Sequence, residues 1–238
     1  KAEQIDRIEE PLDVVFAGTS QSYHGIDPVR IDAALGTRSY NAGIPAGIPP
    51  VQRRWLFDAV LPAVDVDTVV WALSSVDLNA ARPQSVIDLY DAALRTRRGF
   101  LADVDRWLSD RSALFRHRRT LADPRQWADD DEPVDRARRV LYSSGKRKPG
   151  SPNVSEAERR RIRREVIGDF EVGGRMSAVV AETVTELRAR DIDVVLVWLP
   201  EAPRFVDLLP DPDMQRQARQ EAARLAQDLA VPLVDVSH

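Results

Sequence analysis

A chain of 238 residues, 43% hydrophobic and 30% charged, can bury a full core in one domain, and its composition is that of a soluble globular protein. A net charge of −4 gives no reason to expect nucleic acid, and the absence of Cys excludes disulfides, thiolate metal sites and a Cys nucleophile. No apolar run reaches the ~18 residues of a membrane span, and no signal peptide is visible.

The first expected strand is Asp13–Ala17, closed by Gly18 and followed by a polar turn. Asp27-Pro28 starts a helix, since Asp caps and Pro suits the first helical position; it runs through Val29, Ala33 and Ala34 and stops at Gly36. Arg38–Asn41 reads as a second strand. The Gly- and Pro-rich run Asn41-Ala42-Gly43-Ile44-Pro45-Ala46-Gly47 reads as a loop, with a helix from Val51 to Leu61. Thr68–Leu73 is the clearest early strand, continuous and apolar as a strand covered on both faces must be. From Pro83 to Arg97, Val86, Leu89, Tyr90, Ala93 and Leu94 recur at helical spacing.

The stretch from about 99 to 172 behaves differently. Amphipathic helical pieces around Leu101–Leu121 give way to the acidic run Asp129-Asp130-Asp131-Glu132, a loop from Ser143 to Pro152, and a basic helical stretch containing Arg159-Arg160-Arg161 and Arg163-Arg164. It has too few apolar residues for a core of its own, so it reads as an insertion within one domain spanning 1–238. Regularity then returns. Met176, Val179, Val180, Thr183, Val184 and Leu187 form one helix face, Asp193–Pro200 is a buried strand, Asp213–Ala230 is helical, and Pro232–Asp235 is a last short strand. Trp55, Trp71 and Trp198 read as core, whereas Trp107 and Trp127 are candidates for stacking on sugar rings. His117, among arginines, reads as surface.

Strands alternating with helices imply an α/β three-layer sandwich, with a central parallel, flavodoxin-like sheet of about five strands and a mainly helical insertion. In such sheets the ligand crevice lies beyond the carboxyl ends of the strands. Ser20, Gly43, Asp77 and Asp235 each follow an expected strand and so share one rim. Gly18-Thr19-Ser20 offers a hydroxyl there, and Asp235-Val236-Ser237-His238 offers one of only three His with an acid beside it. A Ser hydroxyl is a weak nucleophile that needs such a base, and the base needs an acid to hold its tautomer.

Simpler readings stand beside these. Ser20 would equally begin a turn, Gly43 would serve a positive φ, and His238 would be a chance terminal residue or the start of a purification tag. The chain begins with Lys, so it also reads as a processed or trimmed piece. The acidic run fits a solvated loop as well as a cation site, and the arginine stretch fits a solvated helix face as well as a dock for an anionic polymer.

On these blocks the chain resembles the SGNH (GDSL-type) hydrolases. Gly18-Thr19-Ser20 matches the nucleophile block, with Gly25 shortly after; Tyr40-Asn41-Ala42-Gly43 matches the second; Asp235 to His238 matches the last. The resemblance implies Ser20, His238 and Asp235 as nucleophile, base and orienting acid. It implies the backbone N–H groups of Ser20 and Gly43 as the oxyanion hole, no metal and no cofactor. The third block departs: the family's Gly-x-Asn-Asp is Ser74-Ser75-Val76-Asp77, with Val76 in place of the oxyanion Asn and Asn79 as the candidate substitute. His24 is a candidate for touching substrate.

Gly25-Ile26-Asp27-Pro28 and Tyr40-Asn41-Ala42-Gly43 resemble a branch active in envelope polysaccharide O-acetylation and D-alanyl transfer to teichoic acids. That implies an acylated glycan substrate, a membrane-bound acyltransferase as a possible partner, and an extracytoplasmic setting. Any anchor would lie outside these residues, and a cytoplasmic setting stays open. The leading expectation is a serine esterase or O-acyltransferase. The alternative is a non-catalytic binding or assembly module on the same fold. A nucleotide-binding flavodoxin-like domain is the weakest class, since Gly18-Thr19-Ser20-Gln21-Ser22 lacks the glycines of a phosphate loop.

Overall fold

Five of the apolar runs become strands: β1 (Leu12–Gly18), β2 (Ser39–Asn41), β3 (Val66–Leu73), β4 (Asp193–Trp198) and β5 (Leu233–Asp235). The computed structural model describes residues 1–45, 47–81, 160, 163–211 and 213–237. The strands form one sheet in the order β2-β1-β3-β4-β5, with every neighbouring pair parallel. This is the expected α/β architecture. The chain steps from β1 to one side for β2, then crosses back for β3, so the switch point lies between β1 and β3.

Parallel neighbours cannot be joined by tight turns, so helices make the crossovers. Among the described residues, α1 (Ala2–Ile5) precedes β1, and the helices between strands are α2 (Ser20–Gly25), α3 (Pro28–Leu35), α4 (Pro49–Trp55), α5 (Gly174–Arg188), α6 (Pro203–Val206) and α7 (Asp213–Asp228). A wider π turn, Leu56–Val60, continues α4, and a 3-10 turn, Ser75–Leu78, follows β3. Three local expectations need correction. The polar turn after β1 is the short helix α2. Asp27 makes no side-chain cap bond, so the fixed φ of Pro28 is what starts α3. The next helix begins two residues early, at Pro49, for the same reason.

One sheet face carries Val15, Ala17, Val69, Trp71, Leu73, Val194, Leu196 and Trp198. It packs against Trp55, Leu56 and Val60, against Val180, Val184 and Leu187 of α5, and against Ala218, Ala222, Leu225 and Ala226 of α7 in one core. Each large apolar side chain buried there contributes about 1.5–3 kcal/mol. Trp55, Trp71 and Trp198 are core residues, as expected. The opposite face has α3 beside β2, where Asp32 accepts from the Ser39 hydroxyl at 2.6 Å and backbone N–H at 3.1 Å.

The helix expected over 83–97, and the expected insertion up to 162 apart from Arg160, lie outside the described residues, with His117, Trp107, Trp127 and the acidic run. The stretch leading into α5 docks on the turn after β3 and the segment after β4. Ile167 and Phe170 are buried with Leu209, and Val172 pairs antiparallel with Asn79. Among the described residues no helix is long and apolar enough to cross a membrane.

Candidate active site

The rim at the carboxyl end of β1 is built on a close approach. Gly18 has φ +144, and a Cβ there would lie 2.7 Å from Ser22 Cβ and 2.9 Å from the Ala72 carbonyl oxygen. Only without that atom does the chain turn from β1 into α2 against β3. Thr19 is buried, with extended backbone, and its carbonyl accepts the Tyr23 N–H at 2.9 Å. Ser20 follows as the first residue of α2 and is exposed. Register carries the same height across the sheet. Gly18 pairs with Ala72, Ala72 with Val197 and Val197 with Val234, so Asp235 is level with the residue just before Ser20.

The second block forms a junction between α2 and the loop after β2. Gly43, expected to offer its N–H to an oxyanion, donates that N–H to Asn41 Oδ1 at 2.9 Å. Gly43 does not have a positive φ. A Cβ at Gly43 would lie 2.8 Å from Tyr23 N, 2.9 Å from Asn41 Oδ1 and 2.9 Å from Ser22 Oγ, so the glycine admits α2 against the loop after β2. Asn41 makes that junction: its buried amide donates to the carbonyls of Ser22 at 2.8 Å and Ile26 at 3.0 Å.

The third block is a buried polar turn. Asp77 Oδ2 accepts from Ser74 N at 2.8 Å and Ser74 Oγ at 2.7 Å, a capping box that closes the 3-10 turn. Gln52 Nε2 reaches Asp77 Oδ1 at 3.4 Å, donates also to the Gly47 carbonyl, and Gln52 accepts from Trp71 Nε1. Val76 packs beside Ile167, Phe170 and Leu209. Asn79 is fully buried: its amide donates to the Ile167 carbonyl at 2.8 Å, and its Oδ1 accepts the N–H groups of Ala81 at 3.1 Å and Glu171 at 3.0 Å. Through these bonds Asn79 anchors the 167–171 segment. Beyond β4, Glu201 Oε1 accepts from Ser75 N at 3.1 Å and Ser75 Oγ at 2.6 Å. Burial raises the Glu201 pKa, partly offset by hydrogen bonds from Ser75 and Gln215.

At the end of β5, Asp235 Oδ1 accepts from Ser237 N at 3.0 Å and Ser237 Oγ at 2.6 Å, and Oδ2 pairs with Arg219 of α7. Desolvation pushes the Asp235 pKa up, but the Ser237 hydrogen bonds and the Arg219 charge together outweigh it and hold it below the ordinary carboxylate value. His238 lies outside the described residues. His24 is exposed on α2, its ring 5.2 Å from that of Tyr23 in an edge-on arrangement.

Three residues escaped the sequence reading. Asn41 stood inside a quoted block, but its partners are backbone carbonyls brought near only by the fold. Glu201 follows β4 as Ser20 follows β1, so the rim rule could have found it. Arg219 follows Ala218 on α7, and no spacing in the sequence marks it.

No protein-family model matches the chain, and no curated protein matches it. Solved structures do. A lipase/acylhydrolase from Enterococcus faecalis is 12% identical with a TM-score of 0.46, the match covering 95% of this chain and 77% of that one. A putative acylhydrolase from Bacteroides fragilis is 14% identical, TM-score 0.42, covering 98% and 74%. A GDSL-like lipase from Bacteroides thetaiotaomicron is 13% identical, TM-score 0.41, covering 98% and 75%. What this chain shares with those lipases and acylhydrolases is a similarity of fold.

Proposed function

We propose that the chain is a serine ester hydrolase or O-acyltransferase of the SGNH type, acting on an acylated cell-envelope glycan through Ser20, His238 and Asp235. The observation that carries this reading is the setting of Ser20: an exposed hydroxyl at the switch point, level with Asp235 on the same rim. Three strand spacings of ~4.8 Å put β1 and β5 about 14 Å apart. The residues from 235 to 238 span up to about 10 Å, and an imidazole extends that reach, so a relay between the two ends is sterically feasible.

In the proposed cycle His238 takes the Ser20 proton as Oγ attacks the ester carbonyl, while Asp235 holds the other ring nitrogen. The alcohol leaves with that proton, and water or a sugar hydroxyl then releases the acyl group from Ser20 by the same steps in reverse. A membrane-bound acyltransferase supplying the acyl group, and an extracytoplasmic setting, belong to the same reading. Of the expected oxyanion donors, the Ser20 N–H remains a candidate, with Gly43 N–H bonded to Asn41, Asn79 buried and Val76 in the family's Asn position. A missing donor costs ~10²–10³ in rate, so modest turnover is expected.

That shortage of donors is also the specific observation favouring a second reading, a non-catalytic binding or assembly module. Labelling by a fluorophosphonate separates the two. Wild type labels and Ser20→Ala does not if the serine is the nucleophile; equal labelling of both, or of neither, sinks the catalytic reading.

A further inference from the structure

Asp235 enters the candidate relay already held from two sides. Ser237 supplies two donors to Oδ1, and Arg219 supplies a third to Oδ2. We propose that Arg219 is the positioning residue of the Asp235–His238 pair, fixing the carboxylate to α7 and lowering the proton affinity of the imidazole it serves. This rests on the catalytic reading above.

The geometry separates the two holds. Ser237 belongs to the same short run as Asp235, so its bonds shape that run but cannot fix it relative to the rest of the molecule. Arg219 projects from a sixteen-residue helix seated in the core through Ala218, Ala222, Leu225 and Ala226. Its contact ties the end of an edge strand to a rigid element. A carboxylate offers roughly four acceptor positions, and the three donors leave capacity for one imidazole N–H. A permanently charged guanidinium beside that carboxylate disfavours an imidazolium nearby, which keeps the base neutral at lower pH. As a stabilising contact alone the pair would contribute little, because the Arg219 and Asp235 side chains are 42% and 22% exposed.

The test is kcat/KM for p-nitrophenyl acetate as a function of pH, in wild type, Arg219→Gln, Arg219→Lys and Ser20→Ala. Arg219→Gln should move the acidic limb upward by about half a pH unit or more, and Arg219→Lys should restore most of the shift. If Ser20→Ala is inactive while wild type and Arg219→Gln share one acidic limb, the catalytic reading stands and the role of Arg219 is overturned. If Ser20→Ala hydrolyses the ester as wild type does, the catalytic reading fails and the relay role falls with it.

Discussion

At the level of single residues, the rim depends on side chains that bond backbone rather than substrate. Asn41 bonds two carbonyls of the α2 region and one N–H of the loop after β2, at a junction that is buried at Ser22 and Gly43 and half-buried at Ile26. Asn41→Ala leaves the Ser22 carbonyl its bond from the Ile26 N–H but takes a partner from the Ile26 carbonyl and the Gly43 N–H, at about 1–3 kcal/mol for each buried group that finds no replacement. The expected loss is about 2–4 kcal/mol by urea unfolding. Ser20 labelling should fall further than the fraction unfolded explains, because α2 loses its tether. A variant that unfolds like wild type would show that the junction is not cooperative with the core. This residue also marks the limit of what the sequence makes legible. Ser20, Asp77 and Asp235 could be placed on one rim because each follows an apolar run, and Val76 was visible as a departure. The duties of Asn41, Gly43 and Asn79 could not be read, because an amide or an N–H is assigned by whatever the fold brings within 3 Å of it.

Among the elements, those held by their own sequence pattern were the readable ones. Residues 69–73 of β3 and 194–198 of β4 are continuous apolar runs, and α5 and α7 repeat their buried residues at helical spacing. The short helix α2 could not be read that way: within Ser20-Gln21-Ser22-Tyr23-His24-Gly25 only Ser22 and Tyr23 are buried, and its neighbours hold it in place. The C-terminus of α3 is a purely local case. Gly36 has φ +69, its N–H bonds the Asp32 carbonyl at 2.8 Å, and an added Cβ would meet nothing within 4 Å. Gly36→Ala therefore tests backbone conformation without packing. It should cost about 1 kcal/mol, seen as a lower urea midpoint at unchanged slope. A stabilised variant would mean that the helix end relaxes to a right-handed conformation.

Over the whole molecule, polar ties join the loops at the carboxyl edge of the sheet: Asn41 to α2, Ser75 to Glu201, and Asp235 to Arg219. Two of these involve carboxyls shifted in opposite directions, so their contributions to stability oppose each other as pH changes. Asp235, held below its ordinary pKa by its Ser237 and Arg219 partners against desolvation, stabilises the fold above the unfolded value and loses that contribution as pH falls through the folded one. Glu201, raised by burial, stabilises the fold below the unfolded value and loses that contribution as pH rises through its folded value. Above that point a charge sits in a poorly hydrated place between the exits of β3 and β4. Glu201→Gln keeps an oxygen acceptor for Ser75 and cannot ionise. Its melting temperature should exceed that of wild type near about pH 8, with the gap closing toward about pH 4. Glu201→Ala removes the acceptor as well and should melt below wild type at the acid end. A Glu201→Gln gap that stays constant across this range would mean that ionisation of Glu201 is not what strains the edge.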